Sequence, residues 1–116
     1  YENCDVFLLP SLAEGFGFPA LEAMQCGKPV VMSRRTSLPE IAGDEGFFFD
    51  SYQPEAMASV VETARTHFAT DPQAADRCRR HAATFSWRAT AEGYARVYAS
   101  LSNHRSGSRP TIRRVG

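Results

Sequence analysis

Apolar residues fall in short unbroken runs over the first half of the chain and at helical spacing over the second, with the change near Pro54. Residues 4–9, unbroken in apolar character from Val6, are closed by Pro10 and read as a buried strand. Residues 11–17 are a loop rich in small and polar side chains, after which Pro19 suits the first position of a helix. That helix is expected to reach about Cys26 and stop at Gly27. Pro29-Val30-Val31-Met32 is a continuous apolar strand of the kind covered on both faces in parallel sheets. A short helical turn over residues 37–43 and a third strand at Gly46–Phe49 follow. Strand, helix, strand, short helix, strand is the rhythm of an α/β doubly wound sheet.

Beyond Pro54 the pattern predicts helices only. Met57, Val60, Val61, Ala64 and Phe68 make one helical stripe. Asp71-Pro72 starts a second helix with Ala75, Cys78, Ala82 and Phe85 on its apolar face. Ser86 is a candidate cap for a third, whose face carries Trp87, Ala91, Tyr94, Tyr98 and Leu101. Residues 102–116 have almost no apolar content, no acid and four arginines. They are expected to be a disordered basic tail, with contact to anionic lipid as the functional alternative to a solvated charge run.

A chain of 116 residues with 43% hydrophobic content and eight phenylalanines can bury a real core. It makes one domain or part of one. The formal net charge is zero, which argues against nucleic acid as a partner. Cys4, Cys26 and Cys78 show no metal-ligand spacing and read as free thiols in a reducing compartment. His67, His81 and His104 share no spacing that points to a metal or a triad. No signal peptide and no membrane-spanning run is visible, so the expected location is cytoplasmic, with peripheral contact at the inner face of the membrane left open.

The chemistry concentrates in Glu14-Gly15-Phe16-Gly17-Phe18-Pro19-Ala20-Leu21-Glu22, with two carboxylates eight positions apart. Glu14 falls in the loop and Glu22 about one turn inside the helix. A loop feeding backbone N–H groups into a helix start suits phosphate or another anion. The two acids then touch different parts of one elongated ligand rather than pairing with each other. A β-carbon at Gly17 would restrict the backbone and crowd such a ligand, so Gly17→Val is expected to abolish binding with most of the fold intact. Taken singly, Glu14 reads as a solvated loop acid, Glu22 as a surface helix acid, and Phe16 and Phe18 as packing residues. Glu40 reads as a first-turn helix acid and Lys28 as a solvated side chain.

Several spaced features agree with one family. Cys4-Asp5-Val6-Phe7, Pro10-Ser11, the Glu14 to Met24 run, Cys26-Gly27-Lys28-Pro29-Val30-Val31, Ser37-Leu38-Pro39-Glu40 and Phe85-Ser86-Trp87 together resemble the donor domain of retaining GT-B glycosyltransferases. The particular resemblance is to the family-four, or "group one", type. It covers residues 1–101, the C-terminal part of a Rossmann-like donor domain with about three strands followed by helices. It implies metal-independent transfer of a sugar from a nucleotide-sugar, with retention, in glycan biosynthesis, and no cofactor. Glu14 becomes the catalytic-site acid beside the donor sugar and Glu22 the acid on the nucleotide ribose. Gly15, Phe16, Gly17 and Phe18 supply the backbone cradle for sugar and diphosphate. The acceptor is unknown: a glycan, a lipid-linked acceptor or a small molecule.

The resemblance also implies missing parts. An N-terminal domain bearing the acceptor site, and upstream donor-domain strands with basic diphosphate-binding residues, are expected before Tyr1. The chain alone would then be a fragment, inactive and marginal in stability, with an unpaired edge at its first strand. Two other readings stay open from the residues. Gly15-x-Gly17-x-x-Ala20 matches an NAD(P)-binding fingerprint, although residues 10–14 separate it from the strand, and Ser33-Arg34-Arg35 holds no acid for a ribose. A non-catalytic nucleotide-sugar-binding module is the other. A glycosidase acid pair fits poorly, because its carboxylates must face each other across one bond.

Overall fold

The computed structural model describes residues 1–105, with side chains to Ser102. The chain divides into two compact units, one ending at Thr84 and the other beginning at Phe85.

The first unit is a three-stranded, wholly parallel sheet in chain order: β1 (Phe7–Leu9), β2 (Val30–Ser33) and β3 (Gly46–Phe49). In register, Leu8 lies opposite Val31, and Val31 opposite Phe47. Helix α1 (Phe18–Gln25) crosses from β1 to β2. Helix α2 (Leu38–Ala42) and a 3-10 turn (Gly43–Glu45) cross from β2 to β3. Helices α3 (Pro54–Thr70) and α4 (Ala74–Ala83) follow. The α/β expectation, with three parallel strands and then helices, is what the structure has.

All four residues of β2 are buried, as a central parallel strand covered on both faces requires. On one face Val31 and Phe49 meet Ala64 of α3, flanked by Met57, Val60 and Val61 of the expected stripe. Ala20, Ala23, Met24, Met32, Leu38 and Ala42 are fully buried, and α1 lies against both α2 and α4. Truncating Met24 or Leu38 to alanine should cost about 2–5 kcal/mol.

Four boundaries differ from the sequence expectation, each for a local reason. The Cys4 N–H turns back to the Tyr1 carbonyl at 3.1 Å, which takes residues 4–6 out of the ladder. Pro29 has no N–H to give; its carbonyl accepts from Phe7 at 2.9 Å, and the strand proper starts at Val30. Helix α1 begins one residue before Pro19 because Gly17, in a left-handed conformation, takes the cap. Helix α4 starts at Ala74, since Asp71 accepts the Gln73 N–H at 2.9 Å in a side-chain turn. Its buried line is therefore Ala74, Cys78 and Ala82, with Ala75 half-buried.

The second unit contains α5 (Trp87–Arg105). The Ser86 hydroxyl accepts the Ala89 N–H at 3.1 Å, the bond of a helix cap. Trp87, Tyr94, Tyr98 and Leu101 are all exposed, and the two tyrosine rings stack at 6.2 Å. The helix continues to Arg105, four residues into the stretch expected to lack structure, and residues 106–116 of that tail lie outside the described residues. Among the described residues no helix is long and apolar enough to cross a membrane.

Candidate functional site

After Leu9 the chain leaves the sheet at Pro10, and residues 11–17 form a loop that is bonded to the sheet and to the turn after β2. The Ser11 carbonyl accepts from two hydroxyls, that of fully buried Ser33 at the end of β2 and that of Tyr52 at 3.0 Å. Further along, the Glu14 N–H donates to Thr36 Oγ1 at 3.1 Å. The Ser37 hydroxyl lies 2.9 Å from the Phe16 carbonyl and 3.3 Å from that of Glu14, sharing its one hydrogen between them. These contacts use backbone groups that a solvated loop would leave to water.

Glu14 is half-buried in this loop, and its Oε1 accepts from the Ser11 hydroxyl at 2.7 Å. Glu22 is on the exposed side of α1, and its Oε2 accepts from the Tyr1 phenol at 2.8 Å. That bond, with the nearby negative charge, pushes the phenol's pKa up and keeps it a donor. Each carboxylate thus has one oxygen held by a neutral hydroxyl of its own chain. The other oxygen makes no hydrogen bond among the described residues, and neither acid forms an ion pair there. Carboxylates in that state are good acceptors for hydroxyl groups of a ligand. They stand one in the loop and one in the helix and do not bond to each other, as the sequence spacing anticipates.

The stretch between them is more divided than a single cradle. Gly15 is exposed, and a β-carbon built there would meet nothing within 4 Å. Gly17 is buried with φ +104°, and its β-carbon would come within 2.9 Å of Leu38 Cδ2 and close to Ile41. The positive φ agrees with the expected restriction on the backbone, but the expectation of an intact fold needs correction: a side chain there would also strike Leu38 of α2, and Gly17→Val would damage the fold. Phe16 and Phe18 are exposed, with ring centroids 4.6 Å apart.

Glu40 is a first-turn acid of α2, and Lys28 is half-buried between α1 and β2. Arg34 stacks on Phe48 at 4.8 Å and pairs with Asp50 at 3.3 Å, so it is engaged at β3. Among the described residues no group of His, Cys, Asp and Glu could hold a metal ion. The residues missed by sequence reasoning are the tethers: Tyr1, Ser11, Ser33, Thr36, Ser37 and Tyr52. Only the run of small hydroxyl residues after β2 hints at them.

Residues 1–83 match the family model described as "Glycosyl transferases group 1". The chain is 36% identical over 116 residues to a serotype-specific mannosyltransferase WbdA of Escherichia coli, an alignment that takes in 97% of this chain and 14% of the relative. It is 40% identical over 87 residues to the O-antigen chain mannosyltransferase B of Escherichia coli, covering 75% and 23%. It is 36% identical over 129 residues to a D-inositol 3-phosphate glycosyltransferase of Mycolicibacterium gilvum, covering 98% and 28%. The chain thus spans less than a third of the length of each of these three relatives.

Proposed function

The chain belongs to the group 1 glycosyl transferases, and from that membership we propose that it supplies the donor side of an enzyme moving a sugar from a nucleotide-sugar to an acceptor. The transfer proceeds with retention and without a metal, in a GT-B arrangement whose acceptor domain lies outside this chain. A hexose is the expected cargo, and mannose is the first to test, because two of the relatives are named mannosyltransferases. The enzyme works in the cytoplasm or at the inner face of the membrane.

One observation carries the reading. Glu14 and Glu22 flank the start of α1, and each has one oxygen tied to a chain hydroxyl and the other left to accept from a ligand. In this reading Glu14 accepts from hydroxyls of the donor sugar and Glu22 from the ribose. Residues 15–18 bring backbone and the α1 terminus near the diphosphate, where N–H dipoles favour the charge that grows on the leaving group. Hydroxyl–carboxylate bonds at the sugar tighten as the anomeric carbon becomes electron-poor, so Glu14 bears mainly on turnover.

The test uses the intact protein that contains this chain. Glu22→Ala should weaken binding of the free nucleoside diphosphate by about 1.5–3 kcal/mol, read by titration calorimetry. Glu14→Ala should leave that affinity near wild type and lower kcat with a nucleoside-diphosphate hexose. Wild-type nucleotide affinity in Glu22→Ala would sink the ribose assignment. Nucleotide binding with no transfer to any acceptor would favour a binding module instead.

A further inference from the structure

The turn between β2 and α2 holds a backbone conformation that its residue does not favour. Thr36 has φ +48° and is the one non-glycine residue with positive φ among the described residues. A β-branched side chain in the left-handed region crowds its own backbone, and sequences usually place glycine or asparagine there. In return Thr36 Oγ1 lies 3.1 Å from the Glu14 nitrogen and accepts its N–H. The next residue, Ser37, reaches the carbonyls of Glu14 and Phe16. Glu14 therefore has its N–H on Thr36, its carbonyl near Ser37 and its carboxylate on Ser11. Two of these three anchors come from a turn more than twenty residues away in sequence. Backbone strain that survives beside a candidate site points to a function that uses the strained geometry.

We propose that Thr36 is a positioning residue for sugar transfer: its strained turn places Oγ1 under the Glu14 N–H and so sets where the Glu14 carboxylate meets the donor. The proposal rests on the donor-sugar role given to Glu14 above. Thr36 itself touches no reacting atom. Its effect falls on turnover rather than donor affinity, since a carboxylate displaced by about 1 Å loses rate far more than binding.

Three variants of the intact protein test this. Thr36→Gly removes the acceptor and also relieves the backbone strain, so the fold should be retained. Its kcat should fall about tenfold or more with the donor KM within twofold, and hydrogen exchange at the Glu14 amide should speed up. Thr36→Asn accepts the left-handed conformation and offers Oδ1 as an acceptor, and it should restore both the slow exchange and most of the rate. A merely structural role would appear as a lowered melting temperature with kcat and KM moving together. Glu14→Ala separates the two readings. If Glu14→Ala is inactive while Thr36→Gly turns over like wild type, this proposal falls and the donor reading stands. If Glu14→Ala itself transfers at the wild-type rate, the donor-sugar role of Glu14 falls and takes this proposal with it.

Discussion

At Gly17 the chain turns into α1 with φ +104° and with Leu38 directly beneath. Gly17→Ala should lower stability by about 1–2 kcal/mol from the left-handed backbone alone, before any repacking of α2. Gly15, earlier in the loop and open on all sides, should behave in the opposite way. Gly15→Ala should change stability by less than about 0.5 kcal/mol. It should weaken nucleotide-sugar binding if the ligand approaches the backbone there. Urea unfolding and calorimetry on the pair distinguish packing from ligand contact. Cys78 offers a separate readout. It is fully buried, and burial pushes its thiol from the usual value near 9 up to about 11. The folded state favours the protonated thiol, so that contribution is whole below about pH 9 and is lost as pH rises through about 11. Unfolding midpoints should drop across that window in the wild type and less in Cys78→Ala.

Helices α3 and α4 meet at a small charged clasp. Asp71 accepts the Gln73 N–H and pairs with Arg77 at 2.7 Å, while Arg77 also reaches Glu45 of the 3-10 turn at 3.3 Å. The Gln73 N–H bond and the Arg77 guanidinium hold the Asp71 carboxyl below its usual range. That support is present above the ordinary aspartate value and is lost as pH falls through the lowered one. Arg77→Met should lower the melting temperature at neutral pH and remove part of its acid dependence, as calorimetric scans would report. None of this clasp was legible in the sequence, nor was the 3-10 turn it reaches, whereas helices α3 and α4 were. The four-residue apolar run of β2 and the α3 stripe follow from periodicity, because burial on two faces or one leaves a regular mark. The spacing of Glu14 and Glu22 around a loop and a helix start was equally visible. The tethers beneath Glu14 were not, since the Ser11 carbonyl is met by Tyr52 from 41 residues away and by Ser33 from 22. Such bonds leave no periodic trace. The trimmed start of β1 and the late start of α4 escaped for the same reason, each being decided by a single bond.

The whole sheet runs β1-β2-β3, so β1 is an edge among the described residues, and Leu8 on it is exposed. A three-residue edge with apolar side chains invites pairing with another chain. The 116-residue chain alone should self-associate, and Leu8→Lys should shift it toward monomer in light scattering. In the enzyme proposed above, that edge is where further strands would continue the sheet. The family match ends at residue 83, close to the boundary at Thr84 between the two units, so the candidate site sits wholly within the first. The second unit bears on how any of these predictions is measured. The chain has one tryptophan, Trp87, at the start of α5 and 80% exposed. An indole already in water changes colour little when the protein around it opens. The first unit carries no tryptophan, so tryptophan emission is a weak reporter of melting of its sheet, and a nearly flat trace would be mistaken for a protein that does not unfold. Circular dichroism, which sums over every helix, would show the transition that the light does not.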